Sequence, residues 1–182
     1  KPPLRLQFAP YLSVYCNHFP STDNTSNWSR QINGGMDVKW GINQAFTLDA
    51  TLIPDFGQVQ SDNQVLNLTP FEVRFNENRP FFTEGIELFN KGNFFYSRRI
   101  GGTPYYFHNV GSKTQTNEKI ISNPIETRLI NASKISGRTE SGLGIGFLNA
   151  LTATQYATIE NIETRQQRKI LTNPLTNYNV LV

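Results

Sequence analysis

The feature that most constrains this chain is an alternation of apolar and polar residues with a period of two, interrupted between residues 55 and about 125. Such an alternation places apolar side chains on one face of a β-strand and polar side chains on the other. Pro10 lies on the apolar face of the first segment and lacks an N–H, which predicts a bulge or an edge position. The predicted strands lie near residues 4–17, 28–43, 46–52, 128–137, 143–157 and 178–182, with a further short strand at 94–100 inside the interruption.

Alternation alone is typical of both a soluble β-sandwich and a membrane β-barrel. Trp28 and Trp40 share one face of the second strand. At roughly 3.3 Å per residue and a tilt of about 40°, they lie roughly 30 Å apart along a membrane normal, the spacing of two interfacial aromatic girdles. This spacing favours an antiparallel transmembrane β-barrel, with both tryptophans as membrane-interface aromatics.

The connections between the predicted strands alternate in length. A long polar stretch follows the first strand, whereas little more than residues 43–45 joins the second to the third. After the interruption, the tight turn 138–142 precedes the longer polar segment 159–168. Outer-membrane barrels alternate short periplasmic turns with longer external loops, so the interruption is predicted to start on the external side.

The interrupting segment is rich in aromatic residues, carboxylates and arginines. A stretch of this length is too long for an ordinary structureless loop in a compact protein, so we expect it to pack inside the barrel lumen. Arginine forks match carboxylates, which makes Arg79, Arg98 and Arg99 the expected partners of nearby acids. The predicted lumen charge network or ligand contacts are Asp49, Asp55, Asp62, Glu72, Arg79, Glu84, Arg98 and Arg99.

The same carboxylates allow other chemistry. A glycosidase needs two carboxylates facing each other across a sugar, and Glu84 with Glu87 or Asp55 with Asp62 could supply them. A calcium ion could bind Asp55, Asp62 and Asn63, although their spacing matches no EF-hand. A solute path, or a purely structural charge network, needs no catalytic group. No catalytic residue and no cofactor is therefore assigned.

Composition excludes several other classes. The formal net charge is only +3, and no basic run is interleaved with aromatics, so no nucleic-acid partner is expected. Cys16 is the sole cysteine, which excludes an internal disulfide. Neither end of the sequence resembles a natural terminus, and about six strands are fewer than the smallest barrel of about eight. We therefore expect the chain to be an internal piece of a longer protein.

A resemblance to a known family is carried by the run FTLDATLIPDFGQVQSD, followed by NLTPFE, ENRPFFTEG and FFYSRRIGG. These motifs resemble those of Gram-negative outer-membrane proteins of unassigned function. In that family, a domain similar to carbohydrate-binding-module family 9 precedes a C-terminal membrane β-barrel. The resemblance implies an outer-membrane barrel that follows a saccharide-binding-like domain, and it supplies no catalytic residues.

Together these observations predict an all-β, antiparallel transmembrane barrel segment in the outer membrane. Residues 1–54 would form strands one to three, residues 55–125 the insertion in the lumen, and residues 126–182 further strands. The expected role is non-enzymatic: glycan or solute handling, or service in an envelope complex. The expected partners are outer-membrane lipid, saccharides and other envelope proteins. The alternatives are a soluble β-sandwich carbohydrate-binding module and a glycan-cleaving hydrolase that uses paired carboxylates.

Overall fold

The computed structural model describes residues 5–19, 27–54, 74–93 and 95–182, and in these the chain is built mainly of antiparallel β-strands. The all-β antiparallel prediction is confirmed. The described residues contain one short α-helix, α1 (Pro80–Thr83), and four 3-10 turns at Lys91–Asn93, Ser97–Arg99, Phe107–Asn109 and Gly111–Lys113. The strands are β1 (Arg5–Phe19), β2 (Asn27–Gly41), β3 (Phe46–Leu52), β4 (Glu118–Ser122), β5 (Leu129–Arg138), β6 (Gly144–Thr152), β7 (Gln155–Asn161), β8 (Gln167–Asn173) and β9 (Thr176–Leu181).

Six strands form the main sheet, in the order β1-β2-β3-β5-β6-β9. Each neighbouring pair is antiparallel. The sheet is open in the described part of the chain, because β1 pairs only with β2 and β9 only with β6. Pro10 lies in β1, opposite Met36, with no shift of register. Because β1 is an edge strand in the described residues, the missing N–H of Pro10 is tolerated without a bulge.

A second, small sheet has the order β4-β7-β8. Its strands β7 and β8 are the far half of one long hairpin, since β6 continues into β7 and β8 continues into β9. The register supports this continuity: Thr152 faces Thr176 in the main sheet, and Gln155 faces Asn173 in the small sheet on the same alignment. The predicted strand over 143–157 therefore corresponds to β6 and the start of β7, with one short interruption, whereas the predicted loop over 159–168 is too long. The strand pauses at Ala153 and Thr154, and only a tight turn separates β7 from β8.

The main sheet has two chemically different faces. On the outer face, one row across the strands reads Leu6, Trp40, Leu48, Ile135, Phe147 and Leu181. Several outer-face side chains are strongly exposed, including Phe8 at 57%, Ile32 at 70% and Leu12 at 74%. The exposed large apolar side chains of this face are Leu6, Phe8, Leu12, Val14, Trp28, Ile32, Trp40, Leu52, Ile135, Ile145, Phe147 and Leu181.

The opposite, inner face of the main sheet carries the insertion. Residues 79–93 and 95–100, called the docked segment below, pack against β5, β6 and β9. The buried core at this contact contains Phe82, Phe89, Ile100, Leu129, Ala132, Leu148 and Ala150. Small residues on the sheet make the approach close: a Cβ at Gly146 would lie 2.9 Å from the Phe89 ring. Gly146 thus allows the Phe89 ring to approach the strand.

The rest of the described insertion packs on the small sheet. Val110 joins Ala157, Ile159 and Ile170 in a separate buried cluster. Tyr106 donates its backbone N–H to the carbonyl of Thr172 at 2.7 Å, which ties the segment to β8. β4 then adds a strand beside β7 before the chain returns to the main sheet at β5. The insertion therefore has two docking surfaces.

Candidate functional site

The candidate site lies on the inner face, where the docked segment meets the main sheet. Lys39, Asp49 and Lys134 stand directly opposite one another on β2, β3 and β5. Asp49 lies 3.9 Å from both lysine Nζ atoms. Because the register fixes the three side chains side by side on one face, they form a charge ladder across three strands.

Lys134 is the buried member of the ladder, with only 1% of its surface exposed. Its Nζ donates hydrogen bonds to the backbone carbonyls of Phe81 and Glu84, and it lies 4.6 Å from the centre of the Phe81 ring. A buried ammonium needs partners of this kind, because an unpaired charge is costly away from water. Lys134 therefore fastens the docked segment to β5.

Lys39 is the exposed member of the ladder. Its Nζ donates to Glu84 at 2.9 Å, across the gap between β2 and the docked segment. The hydrogen bond from Lys39 lowers the pKa of the Glu84 carboxyl below its ordinary value. Both side chains are more than half exposed, so this contact is weak by comparison with that of Lys134.

A second charged cluster lies inside the docked segment and its approach. Arg79 is 7% exposed and forms a two-armed ion pair with Glu77, with donor–acceptor distances of 2.8 and 2.7 Å. The same guanidinium donates to the carbonyls of Ser97 and Ile100 at 2.9 and 2.6 Å. Arg79 therefore holds residues 97–100 in a 3-10 turn rather than in an extended strand.

The Glu77 carboxylate completes this cluster. It accepts a hydrogen bond from the Ser97 hydroxyl at 2.6 Å as well as those from Arg79. Burial alone raises the pKa of Glu77, but the hydrogen bonds from Arg79 and Ser97 outweigh it and lower the pKa below its ordinary value. The cluster stays ionised at neutral pH and acts as a structural clamp.

The part of the inner face on β1 and β2 carries neutral polar side chains beside the charge ladder. The register places Tyr11, Ser13 and Tyr15 on this face, opposite Gly35, Asn33 and Gln31. Gln31 donates to Asn33 at 3.1 Å. Hydroxyl and amide groups of this kind are both donors and acceptors, as recognition of a neutral polar solute requires. Tyr11, Ser13 and Tyr15 are half-buried and each already has a partner, whereas the other end of this face is exposed. This surface, which the docked segment does not cover, is called the open polar strip below.

The structure brings only some of the predicted site residues together. Asp49 and Glu84 share Lys39 and Lys134 as partners. Arg79 pairs with Glu77 among the described residues, not with Glu84, and Arg99 lies 6.0 Å from the Tyr96 ring. Trp28 and Trp40 lie on the outer face, near opposite ends of β2. Three predicted residues, Asp55, Asp62 and Glu72, lie outside the described residues.

Sequence reasoning missed Lys134 and Glu77. Lys134 stands on the inner-face parity of β5, between Ala132 and Ser136. Small neighbours beside a long cation are a signal that another segment approaches closely. Glu77 is two residues from Arg79, so their pairing is local and needed no distant partner.

The side chains of the described site attach the docked segment to the main sheet and line the inner face with polar groups. The carboxylates of Asp49, Glu77 and Glu84 each face a lysine or arginine. In the described ranges, no three His, Cys, Asp or Glu side chains converge closely enough to hold a metal ion. The calcium hypothesis concerns Asp55, Asp62 and Asn63, which lie outside those ranges. Among the helices of the described residues, none is long and apolar enough to cross a membrane.

Comparison with known proteins places the chain in a family. A family model described as Domain of unknown function (DUF5916) matches residues 2–182. No curated protein and no solved structure matches the chain. The family match covers nearly the whole sequence, including the strands of both sheets and the docked segment. The chain therefore belongs to the DUF5916 family.

Proposed function

We propose that this chain is part of an outer-membrane β-barrel whose outer face meets lipid and whose inner face lines a partly filled lumen. One observation carries the proposal: the main sheet exposes large apolar side chains along its outer face while its inner face holds a charge ladder and the docked segment. Contiguous exposed apolar patches of more than a few hundred Å² are rare on soluble monomers.

Strand geometry supports the same proposal. β5 has 10 residues and β6 has 9, and a transmembrane β-strand needs about 9–11 when it is tilted. All neighbouring strands of the main sheet are antiparallel, as in outer-membrane barrels. Trp28 and Trp40 would then lie at the two lipid–water interfaces. The long hairpin of β7 and β8 would project beyond the membrane on the side of the insertion.

The role we propose is non-enzymatic handling of a glycan or another polar solute along the exposed end of the open polar strip, where Gln7, Ala9, Asp37 and Lys39 are accessible. The docked segment fills the half of the inner face beside it and narrows the passage. In the intact protein, a domain similar to carbohydrate-binding-module family 9 would precede the barrel and deliver saccharide. Outer-membrane lipid and envelope proteins would be the other partners.

The parity of β1 provides a direct test of the membrane orientation. After Cys16→Ser, single cysteines at positions 6 and 8 (outer face) and 7 and 9 (inner face) would carry spin labels in the full-length protein. We expect the outer-face labels to collide with oxygen dissolved in the bilayer, and the inner-face labels with a water-soluble nickel chelate. Equal access of both sets to the chelate, in a protein that stays monomeric without detergent, would contradict the proposal and favour a soluble β-sandwich.

A second test concerns the solute path. Ala9 is exposed on the inner face, and Phe8 is exposed on the outer face of the same strand. In liposomes that contain the full-length protein, Ala9→Trp is expected to slow saccharide entry, because the bulky ring projects toward the open polar strip. The matched change Phe8→Trp should leave entry unchanged. Equal entry rates for both variants would contradict a path along this strip.

A further inference from the structure

The insertion exposes a pair of tyrosines where it packs on the small sheet. Residues 104–109, called the aromatic turn below, carry Tyr105 and Tyr106, whose ring centres lie 4.9 Å apart with perpendicular planes. Tyr105 is 80% exposed, far more than its neighbour. Single exposed apolar side chains are common on protein surfaces, so exposure alone does not define a site. What distinguishes Tyr105 is how firmly the turn is held and which groups surround it.

Backbone hydrogen bonds fix the aromatic turn to the end of β8. Tyr105 donates its N–H to the side-chain oxygen of Asn173 at 3.2 Å. Tyr106 donates its N–H to the carbonyl of Thr172. Val110, directly after the turn, lies in the buried cluster of the small sheet. A tyrosine side chain has only two rotatable bonds, so on a fixed backbone it loses little conformational entropy when a ligand covers it.

The groups around the two tyrosines are polar but lack negative charge. His108 and Asn109 are exposed in the same turn, and imidazole and amide groups both donate and accept hydrogen bonds. The Lys113 Nζ lies 5.4 Å from the centre of the Tyr106 ring. Residues 104–113 contain no Asp or Glu. A cationic ligand would therefore meet a like charge, whereas a neutral ligand meets an apolar ring with hydrogen-bonding groups beside it.

We propose that the aromatic turn binds a neutral saccharide, with one pyranose ring stacked on the exposed face of Tyr105. The C–H groups of a pyranose face are apolar and slightly positive, and they complement the negative face of an aromatic ring. β-Linked glucose units suit this contact best, because their equatorial hydroxyl groups leave C–H groups on both faces. His108 and Asn109 would bind hydroxyl groups at the edge of the sugar. This site deepens the proposed glycan handling, on which it rests, by supplying a contact for the sugar beyond the membrane.

The test titrates cellopentaose into the full-length protein, in the buffer or zwitterionic nanodisc that keeps it monodisperse, and follows binding by saturation-transfer difference NMR. The axial ring protons of the sugar are expected to receive more saturation than its exocyclic methylene protons, because they contact the Tyr105 ring. Sorbitol has similar hydroxyl groups but no ring face, and it should not bind measurably. Equal binding of cellopentaose and sorbitol would overturn the stacking assignment.

Three variants separate this site from general contact with aromatic side chains. Tyr105→Ala should weaken cellopentaose binding by roughly fivefold or more, because the stacked ring is lost, whereas Tyr105→Trp should retain it. Tyr156→Ala is the matched control, because Tyr156 is exposed on β7 and points to the face opposite its buried neighbour Ala157. Equal losses in Tyr105→Ala and Tyr156→Ala, with native circular dichroism in both, would overturn the site. A loss in Tyr105→Trp as large as that in Tyr105→Ala would overturn it as well.

A second arm distinguishes a sugar contact from a membrane contact. After Cys16→Ser, a spin label at Tyr105→Cys should collide with a water-soluble nickel chelate. Collision mainly with oxygen dissolved in the bilayer would make Tyr105 a membrane-interface aromatic and overturn the saccharide site. The solute path is tested separately: loss of binding in Tyr105→Ala, with entry unchanged in Ala9→Trp, supports the aromatic turn and contradicts the path. Slowed entry in Ala9→Trp, with binding unchanged in Tyr105→Ala, overturns the aromatic turn alone.

Discussion

The inner face of the main sheet has two halves that share a backbone pattern and differ in what covers them. On β5, β6 and β9, the docked segment buries Phe82 and Phe89 against small and apolar side chains. On β1 and β2, the open polar strip lies beside that segment on the same face, and Lys39 joins the two through Glu84. The position of the docked segment therefore depends on which side chains the individual strands present on this face.

The difference depends on two features of the covered half. Ala132, Gly146 and Ala150 are small, so aromatic rings can approach the strand backbone. Lys134 then offers a buried cation to the carbonyl groups at the end of α1. β1 and β2 offer exposed charged side chains, Asp37 and Lys39, and larger neutral polar groups. Close packing and a buried hydrogen-bond donor are thus what distinguish a docking surface from an open one.

The largest expected effect follows from removing the Arg79 side chain, whose contacts hold residues 97–100 in place. Arg79→Met removes the buried partner of Glu77 and the donors to two carbonyls, so the free energy of unfolding should fall by about 3–5 kcal/mol. The measurement is urea unfolding of the full-length protein. Arg128→Met, at an exposed position, is the matched control and should cost less than about 0.5 kcal/mol.

Hydrogen exchange localises the effect of Arg79→Met. Amide protection should fall first in residues 97–100, because their carbonyl groups lose the guanidinium. If protection fell equally across β1 and β2, Arg79 would stabilise the whole main sheet. That result would contradict the distinction between the covered and the open half.

The two lysines of the charge ladder provide the sharpest test of that comparison. Lys134→Met leaves the part-buried carbonyls of Phe81 and Glu84 without their donor, which should cost about 2–4 kcal/mol. Lys39→Met removes an exposed pair and should cost less than about 1 kcal/mol. Thermal unfolding of both variants measures the difference, and equal costs would contradict the assignment of Lys134 as the main fastening.

Much of the main sheet could be predicted from sequence, because period-two alternation follows from strand geometry. The limits of β3 and β5 match the predicted segments 46–52 and 128–137 to within about one residue. The predicted strand at 94–100 is wrong, although its aromatic residues suit a strand. Arg79 takes the carbonyl groups of Ser97 and Ile100, and this tertiary contact overrides the local preference.

The small sheet was missed for a related reason. β4 has only 5 residues, and it pairs with β7, which lies far away in the sequence. No local pattern therefore predicts it. The burial of Lys134 was missed as well. Alternation assigns its face, but whether that face is dry depends on where Phe81 and Phe82 dock. The register between distant segments and the exclusion of water from one face both depend on tertiary contacts, which no local sequence pattern shows.

Glycine substitutions test the close packing of the covered half. In Gly146→Ala the new Cβ would lie 2.8 Å from Val182 and 2.9 Å from Phe89, so the docked segment must shift and about 1–3 kcal/mol should be lost. At Gly34 on β2, the nearest side-chain atom is 3.6 Å away, at Leu12, so Gly34→Ala should change stability by less than about 1 kcal/mol. Differential scanning calorimetry compares the pair, and a greater loss at Gly34 would refute the packing argument.

The smallest expected effect concerns the link between the docked segment and the open half. The hydrogen bond from Lys39 lowers the pKa of Glu84 below its ordinary value of 4.5, so the link stabilises the folded protein above that pH. It is lost as the pH falls from about 4.5 through the lowered pKa, because protonated Glu84 no longer pairs with Lys39. For an exposed pair the change should stay below about 1 kcal/mol. Hydrogen exchange at residues 83–86, measured in wild type and Glu84→Gln between pH 3 and pH 6 and corrected for intrinsic rates, should show acid-induced loosening in wild type alone. Equal loosening in both proteins would mean that the open half is held to the docked segment by something other than this carboxylate.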